Sequence, residues 1–344
     1  MGEFVGIDPR GAYELIRRME AGKQALTGTR PGLDAAIVEA GEDWAGRQGT
    51  AAMHRTWAFY DESQQDLKWR IDTIEQLVSV REKGMLTGTF PFGSEAEAVS
   101  AAVNDANEVA ETFQNHDRYL PGDNWLRKAA GPLKGKVVDP AYAAALLAGL
   151  GGPEAFVKLF REWIDTQAAG QHRGLQPEAL ERAAASTPGP LAAAFASAER
   201  TGRLGGEWYD MVATAPADVL TTLVALAGQS GTFLNRVAID LLNRPPDAEP
   251  TAPDWNLHNL AKAYAANPDA FQQLLAEHPK ESGVLLAADT HNPAFEPTLA
   301  DALHNALKPG AGADGLRERA WFTVIRSNTE LPGIEALKTG SARP

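Results

Sequence analysis

Histidine is the first residue type to consider for chemistry, because its ring binds metals and transfers protons near neutral pH. No two histidines stand at the spacing of an HExxH or HxH ligand pair. Cysteine is absent, which excludes disulfides, thiolate nucleophiles and cysteine-ligated zinc. The sequence therefore predicts neither a metal site nor a bound cofactor. The seven histidines are His54, His116, His172, His258, His278, His291 and His304.

Catalytic motifs are also missing. The chain has no G-x-G-x-x-G, no G-x-x-x-x-G-K-[ST] and no G-x-S-x-G. Glu39, Glu42 and Asp43 form an acidic cluster at a predicted helix end, where solvated side chains are typical. We predict no catalytic residue. Carboxylates far apart in sequence can still converge in space, so a hydrolase or toxin with an unfamiliar site stays open as an alternative.

The charge and the tryptophans indicate a protein that does not bind nucleic acid. The net charge of −13 repels phosphate backbones. The eight tryptophans are spread one per predicted element, which favours core anchors over a stacking platform. The longest apolar runs, Ala141–Gly152 and Val219–Gly228, fall short of the ~20 residues that a membrane span requires. We therefore predict no membrane span.

Two long amphipathic helices dominate the N-terminal part. Asp8-Pro9 is a helix start, and from Ala12 apolar residues recur every seven positions. The stripe keeps its phase across Pro31, which predicts a kink rather than a break. Trp44 to Gly49 is interpreted as the turn before a second helix. That helix has a heptad seam in which only Gln64 is polar: Met53, Trp57, Tyr60, Gln64, Leu67, Ile71, Ile74 and Val78.

The remaining sequence predicts an all-α protein with two domains. Ser94 and Glu97 form a capping box for a third, acidic helix after a loop from Gly84 to Gly93. We predict a hairpin domain at residues 1–117, a linker at 118–138, an irregular multi-helix domain at 139–337 and a loose tail at 338–344. Many helices of this second domain begin with proline, as at Asp139-Pro140 and Asn267-Pro268.

The order helix, Trp44-Ala45-Gly46, helix resembles the WXG-type helical hairpins of type VII (ESX) secretion systems. The long helical region after it resembles that of uncharacterised WXG-like proteins of high-GC Gram-positive bacteria. The resemblance implies a secretion-associated protein. Its hairpin would be the module that binds a partner or directs the protein to export. The nearest match to the family's Tyr-x-x-x-Asp/Glu export motif is Tyr119 to Asp123, where Pro121 and Gly122 favour a turn.

These observations favour a non-enzymatic interaction protein, with a helical protein or a second copy as its partner. Trp44, Gly46 and Trp57 are the expected interaction residues. The N-terminus lacks the pattern of a Sec signal peptide, so we expect the protein in the cytoplasm as synthesised, with type VII export left open. An enzyme or toxin, or a structural assembly subunit, are the alternatives.

Overall fold

Helices make up most of the computed structural model, which describes residues 3–39, 44–78, 85–115, 125–169, 188–244, 253–288, 290–308 and 314–327. These ranges hold fifteen α-helices and one two-stranded sheet, so the all-α prediction is confirmed. The chain forms two compact units. Unit 1 comprises Met1–Ala101 with Val138–Tyr142, and unit 2 comprises Ala102–Val137 with Ala143–Pro344.

The two longest helices of unit 1, α1 (Pro9–Glu39) and α2 (Trp44–Leu77), pack against each other as an antiparallel hairpin. Asp8 begins α1: its side chain accepts a hydrogen bond from the Arg10 backbone N–H at 3.1 Å. The helix continues through Pro31, as the unbroken apolar phase predicts. The predicted helical hairpin is therefore present.

The prediction that the chain turns at Trp44 to Gly49 is wrong, because α2 begins at Trp44. The first backbone N–H groups of a helix need no intrahelical acceptor, and a glycine in a helix costs only about 1 kcal/mol. Alanine, arginine and glutamine are good helix formers, so this segment joins the helix despite Gly46 and Gly49. Residues 40–43 and the side chains of residues 44–47 lie outside the described part of the chain.

A short sheet joins the two ends of the hairpin sequence. Strand β1 (Glu3–Ile7) pairs antiparallel with β2 (Leu86–Phe90), with Glu3 opposite Phe90. The prediction of a loop from Gly84 to Gly93 is therefore wrong for β2, whose five residues are too few to show a clear alternation. A Cβ atom on Gly88 would stand 3.0 Å from the Ile74 Cδ1 atom, so glycine is what lets β2 approach α2 closely.

Asp139 lies at the centre of the buried base of the hairpin. It is the residue before α5 (Pro140–Gly149), and its Oδ1 atom accepts the backbone N–H groups of Ala141 and Tyr142, both at 2.9 Å. Its Oδ2 atom accepts the indole N–H of Trp69 at 3.0 Å. Asp139 and Trp69 are both fully buried, and the Trp69 ring meets Phe90 edge-on at 5.6 Å.

The third helix, α3 (Glu95–Gln114), begins as the capping box predicts. The Ser94 hydroxyl accepts the Glu97 backbone N–H at 3.2 Å, and the Glu97 carboxylate accepts the Gly93 N–H at 2.9 Å. The segment interpreted as a linker holds α4 (Trp125–Ala130), a 3-10 turn at Gly131–Leu133 and the fully buried Leu133. The domain boundaries 1–117, 118–138, 139–337 and 338–344 stay a prediction.

Unit 2 consists of short helices around an aromatic core. Phe156, Phe195 and Phe233 are fully buried, and the rings of the first two stack at 5.7 Å. Helices begin at Pro140 and Pro268 as predicted, and Pro293 lies just before the helix that begins at Phe295. The remaining helices are α6 (Gly152–Ala169), α7 (Pro188–Arg200), α8 (Gly206–Asp210), α9 (Ala217–Leu226), α10 (Gly231–Asn243), α11 (Pro253–Ala266), α12 (Pro268–Glu277), α13 (Pro279–Leu286), α14 (Phe295–Leu307) and α15 (Asp314–Arg326).

The hairpin seam should carry most of its stabilisation near the base. Ile71→Ala removes a fully buried side chain and should lower the free energy of unfolding by about 2–5 kcal/mol. Ile71→Asp should destabilise more, because it also buries a carboxylate. Leu15→Ala on the outer face of α1 is the matched control and should cost less than about 1 kcal/mol. Equal effects in urea unfolding would contradict this assignment.

The indole N–H of Trp69 should contribute through Asp139 rather than through packing alone. Trp69→Phe keeps an aromatic ring but leaves a buried carboxyl oxygen without this donor, at an expected cost of about 1.5–3 kcal/mol. The control is Trp57→Phe, at a ring that is 40% exposed, where unfolding should change by less than about 0.5 kcal/mol. A Trp69→Phe variant with the unfolding free energy of wild type would show that the hydrogen bond is dispensable.

Candidate functional site

The two helices of the hairpin bury each other unequally along their length. Among its described residues α1 has no fully buried side chain, and its seam positions are only half-buried. Among the α2 residues whose side chains the structure describes, 48–77, the buried ones are confined to the segment from Trp69 to Ile74. The half of the hairpin beyond this segment therefore exposes side chains that the heptad seam would place in a core.

A polar cluster interrupts the seam midway along the hairpin. The Lys23 ammonium lies 2.6 Å from Asp61 and donates to the Gln64 amide oxygen at 3.1 Å. The Gln64 amide donates in turn to Glu20 at 3.3 Å. Gln64, the only polar residue of the α2 seam, thus faces Lys23, which interrupts the stripe of α1. The polar residues that interrupt the two predicted apolar stripes are therefore hydrogen-bonded to each other.

Lys23 and Glu20 keep their charges through neutral pH. The hydrogen bond to Asp61 raises the pKa of Lys23, and the amide of Gln64 lowers the pKa of Glu20. Lys23 also lies 5.0 Å from the centre of the Trp57 ring, in a cation–π contact. A fixed positive charge therefore stands beside the first aromatic ring beyond the cluster.

Beyond Lys23 the two helices enclose a groove of about 300 Å³, here called the hairpin groove. Leu26 and Met53 supply its apolar surface, and the Trp57 ring forms one side at 40% exposure. The other lining residues, Thr27, Arg30, Thr50 and His54, have polar side chains. Its lining residues are Leu26, Thr27, Arg30, Thr50, Met53, His54 and Trp57.

The three expected interaction residues are not all brought together. Trp57 lines the hairpin groove. Trp44 and Gly46 lie in the first turn of α2, and the thirteen residues from Trp44 to Trp57 span about 20 Å of helix. The orientation of the Trp44 side chain falls outside the described part of the structure. Leu26, Met53 and Trp57 belong to the predicted stripes, but helical periodicity alone could not show that they line a groove.

Other apolar side chains of the hairpin are also uncovered. Phe59 is 61% exposed and Val38 is 82% exposed. Neither side chain lines the hairpin groove, and exposed apolar side chains are ordinary when they occur singly. The groove with its half-exposed Trp57 edge is the feature that distinguishes the hairpin. The hairpin is the candidate functional site.

Unit 2 contains a larger open cleft, of about 780 Å³, beside α10 and α12. Arg244, one of its lining residues, bonds to Asp240 at 2.7 Å and donates to the carbonyl groups of Val212 and Ala215. Arg236 pairs with Asp210 at 3.4 Å. The charged groups of this cleft are therefore engaged in holding neighbouring helices together.

Within the described ranges, no three His, Asp or Glu side chains are placed to hold a metal ion. His116 and His172 lie outside those ranges. No single described helix is long and apolar enough to cross a membrane. Pro140–Gly149 and Gly152–Glu162 reach the required length and composition only as a pair, with a bend of 84° between them.

His258 of α11 is the one described histidine that is buried. Its Nδ1 atom has no hydrogen-bond partner, and the ring packs edge-on against Trp255 at 6.0 Å. Burial lowers the pKa of His258 below its ordinary value of 6.5, and the nearby Lys262 charge lowers it further. The neutral ring is therefore the form that the fold accepts.

Comparison with protein-family models, with curated protein sequences and with solved structures identified no match.

His258 should make the stability of the protein depend on pH. Because its pKa is lower in the folded than in the unfolded chain, its contribution is complete above pH 6.5 and is lost as the pH falls through the folded-state pKa. His258→Gln should flatten this part of the curve of unfolding free energy against pH. The control is His304→Gln, at an exposed ring of α14, which should change the curve less than His258→Gln does. The same slope in wild type and His258→Gln would contradict the assignment.

Proposed function

We propose that this chain is a non-enzymatic interaction protein whose hairpin binds a helical protein through the hairpin groove. The observation that carries the proposal is Trp57, a large aromatic residue that is 40% exposed at the edge of an apolar groove. Tryptophan is the residue type most enriched at the centres of protein interfaces, where covering it with a partner contributes strongly to affinity.

The shape of the site favours a helix as the binding element. Two antiparallel helices with a groove between them can accept the apolar ridge of a third helix, which gives the packing of a helical bundle. Leu26 and Met53 would contact such a ridge at its centre.

The charge of the hairpin supports an apolar mode of binding. Helix α1 has five basic and four acidic residues, and α2 has four basic and five acidic residues, so the two helices together are neutral. The chain as a whole has a net charge of −13. A partner would therefore meet a surface that neither attracts nor repels it strongly, and affinity would come from apolar contact.

A role in type VII secretion is the biological setting that we propose. It rests on the resemblance to WXG-type hairpins, carried by Trp44-Ala45-Gly46 between two long helices. In this proposal the hairpin is the module that binds a partner or enters export with it. The segment from Tyr119 to Asp123, the nearest match to the family's export motif, lies outside the described residues.

The test is binding to a purified small WXG-type hairpin protein from the same host. Trp57→Ala should weaken binding by at least about tenfold, because it removes more than about 1.4 kcal/mol of apolar contact. Trp44→Ala and Gly46→Asp should reduce binding and export from the native host. Gln65→Ala, on an exposed face of α2, is the matched control and should bind like wild type.

Normal binding and normal localisation of all three variants would defeat the proposal. Self-association that Trp57→Ala abolishes, without binding to a hairpin partner, would support the structural assembly subunit instead. A photo-crosslinking residue at position 54, in the lining of the hairpin groove, should capture the helical partner, whereas the same residue at the exposed position 296 of α14 should not.

A further inference from the structure

The charged end of Lys23 is held at one fixed point between α1 and α2. Its ammonium lies 2.6 Å from the Asp61 carboxylate, donates to the Gln64 amide oxygen at 3.1 Å and stands 3.5 Å from Glu20. The side chain is only 14% exposed, although lysine ordinarily extends its charge into water. Three oxygen acceptors match the three N–H donors of an ammonium group, so the position of the charge is well defined.

The same ammonium lies over the ring of Trp57, 5.0 Å from the ring centre. Trp57, Asp61 and Gln64 follow one another on α2 at spacings of four and three residues, so they form one ridge that faces Lys23. The two residues that hold the ammonium therefore also determine where it meets the ring. Lys23 does not line the hairpin groove, whereas Trp57 does.

The Trp57 ring has few other restraints. Within the described ranges it forms no hydrogen bond and no contact with another aromatic ring. An aromatic side chain that is 40% exposed exchanges between rotamers unless a neighbour favours one of them. A cation over the ring face is such a neighbour, because the attraction is lost when the ring turns away from the charge.

We infer that Lys23 is a positioning residue for the hairpin groove, which fixes the Trp57 ring in the orientation that a partner helix contacts. This inference rests on the proposed function of the groove. A partner that meets a preoriented ring does not have to immobilise it, and immobilising one such side chain on binding lowers affinity about two- to tenfold. Lys23 therefore raises affinity through Trp57, although its charge lies outside the groove.

A purely structural role for Lys23 would give different results. In that case the residue would act on the packing of α1 against α2, and its replacement would change the unfolding free energy without changing the Trp57 ring. Lys23→Met separates the two roles, because methionine keeps an unbranched side chain and removes only the charge. Urea unfolding records the packing of the hairpin, and the environment of the ring is recorded separately.

The first measurement is fluorine NMR of the full chain, with fluorotryptophan in place of all eight tryptophans. The Trp57 signal is assigned by its disappearance in Trp57→Phe. In Lys23→Met this signal should move toward that of free fluorotryptophan, because the ring loses the adjacent charge and gains contact with water. Lys23→Arg keeps a cation that can stack on the ring and should retain the wild-type signal. Lys68→Met, the same change at an exposed position of α2, is the matched control and should also retain it.

Asp61→Asn provides a second variant in case circular dichroism shows that Lys23→Met does not fold. It weakens the shortest contact of the ammonium without altering Lys23 or Trp57. The Trp57 signal should therefore move in the same direction as in Lys23→Met. A Trp57 signal that stays at its wild-type position in the folded variants, or that moves equally in Lys68→Met, would overturn the inference.

The second measurement is binding to the purified small WXG-type hairpin protein. Lys23→Met should weaken binding about two- to tenfold, which is less than the effect of Trp57→Ala, and Lys23→Arg should bind like wild type. Normal binding by Lys23→Met together with weakened binding by Trp57→Ala would overturn the inference and leave the proposed function standing. If wild type does not bind, the proposed function fails and the role of Lys23 in binding fails with it, whatever the NMR signal shows.

Discussion

The carboxyl group of Asp139 is the constraint around which the base of the hairpin is organised. A fully buried carboxylate is costly unless donors surround it, and here an indole N–H and two backbone N–H groups converge on it. The backbone donors are available because Asp139 is followed by Pro140, which opens α5 and leaves the next N–H groups free. The same residue therefore starts one helix and holds another through Trp69.

This organisation explains why the hairpin is well buried at one end and uncovered at the other. Strand β2 contacts α2 through Phe90 and Gly88, and Asp139 holds Trp69, so every such contact falls near the end of α2. Beyond the Lys23 cluster, the main contacts of the two helices within the described residues are with each other. Two helices expose more than half of their surfaces, and a groove with an aromatic edge remains where a third element would complete a bundle.

The fold class and the seam followed from sequence because helical periodicity repeats over many residues. The second helix has eight seam positions, and Ile71 and Ile74 are fully buried as that pattern requires. The connecting turn and the two strands did not follow, because each depends on a few residues. Gly46 is compatible with both a turn and a helix, and five-residue strands give too little alternation to detect.

Contacts between residues far apart in sequence were the other feature that the sequence did not predict. Asp139-Pro140 announces a helix start, but nothing local indicates that Trp69, seventy residues earlier, supplies a donor. The candidate site was predictable only in part for the same reason. Trp57 could be named from its type and place in the seam, whereas the hairpin groove depends on how closely Gly22 and Tyr60 let the helices approach.

Charge is distributed so that the surfaces of this chain differ in the kind of partner they favour. The two helices of the hairpin are neutral in net charge, with nine basic and nine acidic residues, whereas α3 is acidic and has no lysine or arginine. A neutral surface selects a partner by shape and apolar contact, whereas an acidic surface selects it by the sign of its charge.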